Sequence, residues 1–316
     1  MFINSEQIQQ LIQPKDLVDK LQQAFASEIS TPVRQHFDIP NPSCERETTL
    51  LLMPSWQAGA DIGVKLVTVV PEANKFNLPS IQGSYVLMDA VKGGVKSIID
   101  APTLTAKRTA AASALASRFL SRHDSEILCM VGTGTLAPEL ILAHCAVRPI
   151  SKVMVWGRDL SKVKAVIKKV AAKLPNVCFT AAEELEQAVK GADIVSCATM
   201  SMTPLIFGDW LSPGQHIDLV GAYRPDMREA DDAVIQKAKW FVDNLATACR
   251  ETGDLAIPIA NGLITPNDVH ADLFALCQGE AVFERNRQDI TVFKSVGHAL
   301  EDLAAAQLIM EQLNAK

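Results

Sequence analysis

Gly132, Gly134 and Ala137 are spaced as Gly-x-Gly-x-x-Ala directly after the apolar run Leu128-Cys129-Met130-Val131. That spacing suits the holding of phosphate. Gly132 permits a tight turn out of a strand, Gly134 lets a pyrophosphate approach the backbone, and the small Ala137 lets the next helix pack on the sheet. The amides of Thr135 and Leu136 at the helix start then face an anion with the positive end of the helix dipole behind them. After one helical stretch the apolar strand 152–156 follows and ends in Gly157-Arg158-Asp159, which completes a β-α-β unit. An acidic residue there hydrogen-bonds the ribose 2′-hydroxyl of NAD, whereas an arginine accommodates the 2′-phosphate of NADP(H). Arg158 therefore favours NADPH, with NADH the weaker fit. The alternative is a solvated Arg158 beside an Asp159 that only caps the next helix. Lys65 is the other unusual position, set inside Gly-Val-Lys-Leu-Val-Thr-Val-Val at 63–70. Lysine is almost never buried unless paired, so its ammonium calls for a partner or a ligand.

The elements that must position these residues alternate in type. Residues 5–30 have the spacing of one or two amphipathic helices, with Pro14 opening the second. Strand-like runs follow at 50–54, 62–70 and 83–89, with Gly93-Gly94 as a hairpin turn and an Ala-rich helix over 105–120. Strands and helices then alternate: helix 161–174, a strand near 177, helix 182–189, and strands at 193–198, 216–221 and 240–242. This predicts an α/β fold with a doubly wound parallel sheet over roughly 125–290. A last helix over 297–313 lies outside that count and returns to the N-terminal part. The expected division is a substrate domain over 1–120 completed by 293–316, with a Rossmann domain over 121–292 inserted.

A length of 316 residues is enough for two domains with real cores, and no apolar run is long enough to span a bilayer. Met1-Phe2-Ile3-Asn4-Ser5-Glu6 has no basic region followed by an apolar stretch, so a cytoplasmic enzyme is expected. The seven cysteines lack any Cys-x-x-Cys pair and read as reduced, buried small residues. The histidines show no metal-binding spacing. A net charge of −6 without a Lys/Arg block argues against nucleic acid as a partner.

Several motifs in one order extend along the chain: Gly63-Val64-Lys65-Leu66-Val67, Leu104-Thr105-Ala106-Lys107-Arg108-Thr109-Ala110-Ala111, the glycine-rich loop, Gly221-Ala222-Tyr223-Arg224-Pro225-Asp226-Met227-Arg228-Glu229, Gly253-Asp254-Leu255, and Thr291-Val292-Phe293-Lys294-Ser295-Val296-Gly297-His298-Ala299-Leu300-Glu301-Asp302. In these the chain resembles the ornithine cyclodeaminase/mu-crystallin family. The resemblance implies an N-terminal α/β substrate and dimerisation domain closed by the C-terminal helix, a Rossmann domain, a homodimer, and action on small cyclic imino acids or amino acids with a nicotinamide cofactor. It places Arg34, Lys65 and Arg108 on the substrate carboxylate, with Lys65 catalytic, and chemistry agrees, since fixed cations orient a small anion. Thr199, Met200, Ser201, Tyr223, Arg224 and Val296 fall near the cofactor; Arg224 either touches it or pairs with Asp226. His298 reads as structural, Asp302 as a solvated or capping acid, and Gly253-Asp254 as an ordinary turn.

Tyr223 departs from the cyclodeaminase pattern, which carries an aspartate there for proton transfer. A phenol stays protonated near neutral pH and is a poor base. The Tyr-Arg-Pro-Asp-Met-Arg-Glu run resembles instead the mu-crystallin and imine-reductase branch. The reading is NAD(P)H-dependent reduction of a cyclic ketimine carboxylate: Δ1-pyrroline-2-carboxylate to L-proline, or Δ1-piperideine-2-carboxylate to L-pipecolate. The alternatives are an ornithine cyclodeaminase, an alanine dehydrogenase, and a non-enzymatic NADPH-binding protein. The proton role of Lys65 is open, because an ammonium beside an iminium destabilises that cation unless a carboxylate intervenes.

Overall fold

In the computed structural model, which describes residues 1–315, the chain forms two compact units. The first is Met1–Arg108 together with the chain from His298 onward, and the second is Thr109–Gly297. Among the described residues no helix is long and apolar enough to cross a membrane.

The first unit opens with strand β1 (Phe2–Ile3) and helices α1 (Ser5–Leu11) and α2 (Pro14–Phe25). Asn4 starts α1 through a capping box with Gln7, and Pro14 opens α2 at a position where its missing N–H costs nothing. Strands β2 (Gln35–Ile39), β3 (Thr48–Gln57), β4 (Asp61–Val69), β5 (Ile81–Asp89) and β6 (Val95–Asp100) form an antiparallel meander, and β1 joins its edge parallel to β6. The buried face carries Met53, Ser55, Lys65, Tyr85 and Leu87. Gly63 is required there, because a Cβ would lie 1.7 Å from the Tyr85 phenol oxygen. The C-terminal helix, Ala299–Asn314, is buried from Ala299 to Ile309 and packs on α2, β3 and β4. Helix α3 (Ala101–Leu120) begins four residues earlier than its apolar spacing indicates. The cause is Asp100, whose Oδ1 accepts the Thr103 amide at 3.0 Å and so caps the helix ahead of Pro102.

The second unit holds β7 (Ile127–Val131), α4 (Leu136–Val147), β8 (Lys152–Trp156), α5 (Leu160–Ala171), β9 (Cys178–Ala181), α6 (Leu185–Lys190), β10 (Ile194–Cys197), β11 (His216–Leu219), α7 (Asp232–Lys237), β12 (Lys239–Val242), α8 (Leu245–Glu251), α9 (Gly253–Ala260), β13 (Val269–Asp272), α10 (Leu273–Gln278) and β14 (Thr291–Lys294). Its strands form one parallel sheet in the order β13-β12-β14-β11-β10-β7-β8-β9. The direction of winding reverses between β7 and β10, and such a reversal opens a crevice at the carboxyl ends of the strands.

The boundaries between the units differ from the expected 120/121 and 292/293. Strand β14 pairs with β11 and β12, so residues 293–297 belong to the second unit, as does α3 beyond Arg108. A buried polar set ties α4 to the sheet: Asp218 accepts from Ser196 Oγ at 2.6 Å and lies 3.2 Å from His144 Nε2.

Candidate active site

The glycine-rich turn has the geometry that its spacing demands. Gly132 has φ +117°, and a Cβ on it would meet the Ala198 carbonyl at 2.6 Å, so glycine is required. A Cβ on Gly134 would meet nothing within 4 Å, which leaves the approach that a pyrophosphate needs. Thr135 is the N-cap of α4 without a side-chain cap bond, and Leu136 is its first residue. The start of α4 therefore carries no side-chain cap, and its residues fit a dinucleotide phosphate there. Asp159 does cap α5, accepting the amides of Ser161 and Lys162. Arg158 beside it is exposed, with no side-chain partner among the described residues.

Beyond β10, β11 and β14 the loops carry the other predicted cofactor residues. Met200 is 73% and Tyr223 47% exposed, and Ser201 Oγ donates to the Thr203 carbonyl at 2.6 Å. Arg224 forks onto Asp226, with Nε to Oδ1 at 2.8 Å, so its guanidinium is engaged within its own loop. Val296 donates its amide to Asp243 Oδ2 at 2.7 Å, as does Gly297 at 2.6 Å, while Ser295 Oγ lies 3.1 Å from the same oxygen. Asp243, fully buried, thus anchors the whole 295–297 turn.

A second buried carboxylate, Glu229, gathers two loops. Its Oε1 accepts the Thr199 amide at 2.7 Å and the Thr199 hydroxyl at 2.9 Å. Its Oε2 accepts the amides of Gly221 at 2.7 Å and Ala222 at 3.1 Å. Burial raises the Glu229 carboxyl above its ordinary value, Lys294 opposes that, and Asp254 adds to it. Lys294 Nζ lies 3.2 Å from Asp254 Oδ2 and 3.8 Å from Glu229 Oε2, and all three side chains are fully buried. Gly253-Asp254 is therefore more than a turn: Asp254 Oδ1 also accepts the amides of Glu229 and Ala230.

In the first unit Lys65 and Arg108 meet on the C-terminal helix. Lys65 Nζ lies 2.7 Å from Asp302 Oδ2; Arg108 Nε donates to Asp302 Oδ1 at 3.1 Å and Nη1 to Glu301 Oε2 at 2.7 Å. Both carboxylates have no exposed side-chain surface, so Asp302 is an ion-pair partner, not the solvated or capping acid expected. His298 is the cap: its ring accepts the Leu300 amide, and Nε2 lies 3.3 Å from Thr31 Oγ1. Burial brings the Lys65 ammonium from 10.5 down to about 8, with Asp302 opposing and Arg108 assisting. Arg34 is half-buried in the segment leading to β2. Sequence reasoning gave no role to Glu229, Lys294 and Glu301, which stand inside the motifs, and missed Asp243. Lys294, in the apolar Thr-Val-Phe-Lys strand, carries the same signal that singled out Lys65.

The parallel sheet of the second unit, with a glycine turn at its switch point, is of the dinucleotide-binding kind, and the first unit holds a buried set of paired cations and carboxylates. The family model for the ornithine cyclodeaminase/mu-crystallin family matches residues 1–316, and the chain belongs to that family. It is 43% identical over 315 residues to an uncharacterized protein of Schizosaccharomyces pombe, covering 97% of this chain and 96% of that one. It is 36% identical to Δ1-pyrroline-2-carboxylate reductase of Colwellia psychrerythraea, with 99% of each chain covered. The solved structure of Thermococcus litoralis Δ1-pyrroline-2-carboxylate reductase with NADH and L-proline superposes with a TM-score of 0.91 at 30% identity, covering 100% of this chain and 98% of that one.

Proposed function

We propose that the protein is an imine reductase that converts Δ1-pyrroline-2-carboxylate to L-proline, and the six-membered homologue to L-pipecolate, with NADPH as preferred cofactor. The observation that carries this reading is the buried set of Lys65, Arg108, Glu301 and Asp302. Two cations and two anions sum to zero. A cyclic iminium carboxylate is itself a zwitterion, so it adds no net charge to a buried site, where unbalanced charge is costly. Lys65 and Arg108, joined by Arg34, hold its carboxylate. Asp302 is the carboxylate that intervenes between the Lys65 ammonium and the substrate cation. The nicotinamide, when bound, supplies a hydride. The imine gains that hydride at C2 and one proton at nitrogen, a proton already present in the iminium form, so the chain's task is mainly to orient the acceptor. Tyr223 supplies no carboxylate base, which leaves the deaminating lyase without its proton acceptor.

The test is NADPH oxidation with each cyclic imine and, separately, with pyruvate plus ammonia. Turnover of the pyrroline or piperideine carboxylate is expected, and no oxidation with either overturns the reading. Arg158→Asp should lower the preference for NADPH over NADH by about 100-fold, because one charge-assisted phosphate contact is lost and a repulsion gained. An unchanged ratio would show that Arg158 does not read the phosphate.

A homodimer in the cytoplasm completes the proposal. Phe2, Ile98, Val86, Val64 and Pro54 form one cross-strand row on the outer face of the six-stranded sheet. Phe2 is 62%, Ile98 40% and Leu66 on the same face 38% exposed, the kind of apolar patch that a second copy covers. Sedimentation equilibrium should give twice 34.2 kDa, and a monomer would overturn the assignment.

A further inference from the structure

Glu229 holds two separate strand ends with one carboxylate. Thr199 follows β10, and Gly221 and Ala222 follow β11; both of Thr199's donors sit on one Glu229 oxygen and both of the other loop's amides on the second. The loops are in intimate contact, since a Cβ on Gly221 would lie 1.8 Å from the Thr199 carbonyl oxygen. The last backbone bond between the two segments runs from the Val220 amide to the Cys197 carbonyl at 2.8 Å, and Thr199, Gly221 and Ala222 lie just beyond it, where Glu229 takes over. Lys294, at the end of β14, and Asp254, at the start of α9, complete a cluster sealed from solvent. The cluster lies on the far side of the switch point from Arg158, which follows β8. A dinucleotide lies across such a switch point, so the phosphate-bearing ribose falls on the β7–β8 side and the nicotinamide half on the β10–β11 side.

We propose that Glu229, braced by Lys294 and Asp254, is a positioning residue that sets the two loops carrying the nicotinamide half of the cofactor. This rests on the dinucleotide reading above, not on any particular imine. In Glu229→Gln one oxygen becomes an NH2 group, a donor facing donors, so one loop loses its anchor while side-chain volume is kept. The damage should be confined to half of the ligand. NADPH should bind at least about 10-fold more weakly, the effect of losing one or two charge-assisted hydrogen bonds, whereas adenosine 2′,5′-bisphosphate, which lacks nicotinamide, should bind as to the unaltered protein.

Fluorescence or calorimetric titration of both probes reads this directly, and amide exchange should show lost protection at Thr199, Gly221 or Ala222. Equal weakening of both probes, or unaltered NADPH binding by a folded variant, overturns the proposal. Where Glu229→Gln does not fold, Thr199→Val removes a single donor and decides the matter by the same pair of titrations: weaker NADPH with unchanged bisphosphate supports it, and no change in either overturns it. Failure of the unaltered protein to bind either probe would refute the cofactor reading instead.

Discussion

Lys65→Met should lower kcat/KM for Δ1-pyrroline-2-carboxylate by about 1000-fold, some 4 kcal/mol of transition-state stabilisation, with NADPH affinity unchanged. Two effects combine. One charge-assisted contact to the substrate carboxylate disappears, worth about 1.5–3 kcal/mol. The buried set then changes from neutral to net negative, because Glu301 and Asp302 remain opposite Arg108 alone, and it repels the carboxylate end of the substrate that it must hold. The same imbalance destabilises the fold, since breaking a buried pair costs roughly 3–5 kcal/mol, so rates are to be read well below the melting temperature. NADPH binding is the internal control, because the dinucleotide turn at Gly132 lies in the second unit. A folded variant that binds NADPH and keeps more than about a tenth of the activity, a loss of only 1.4 kcal/mol, would show that Lys65 is not the principal anchor.

The dinucleotide half was readable in the sequence because its signals are local. Gly132, Gly134 and the strand Lys152–Trp156 lie within one β-α-β unit, where turn, helix start and return strand are all short-range features. Lys65 was readable for another reason: a charge in an apolar strand is anomalous wherever its partner lies. That partner was not readable. Asp302 is separated from Arg108 by 194 positions, and Glu301-Asp302 in the first turn of a helix look like acids serving the macrodipole. Only the packing of the C-terminal helix on β3 and β4 turns them inward. The same holds for Glu229, which reads as one more polar loop residue until β10, β11 and β14 become neighbours. The expected 292/293 boundary cuts through strand β14, because the strand's partners, β11 and β12, are distant in sequence. Asp100, by contrast, is a local N-cap signal for α3.

Asp302→Asn should move the alkaline limb of kcat/KM to lower pH. In the free protein the rate is expected to fall above about pH 8, where the buried Lys65 loses its proton. An anion beside an ammonium favours its charged form, so Asp302 holds that proton on, while burial and the neighbouring Arg108 push it off. Removing the anion leaves burial and Arg108 opposed mainly by Glu301, and the limb should fall by at least about one pH unit, equivalent to 1.4 kcal/mol of lost charge stabilisation. Activity at pH 6.5 then survives much better than activity at pH 8, and acidification restores rate. A purely packing role for Asp302 would lower the rate by the same factor at every pH. Substrate binding adds a carboxylate beside Lys65 and raises its proton affinity, so the limb of kcat should lie above that of kcat/KM in both proteins. If the two proteins share one alkaline limb, Asp302 does not set the charge of Lys65, and the carboxylate placed between ammonium and iminium has no part in the reduction.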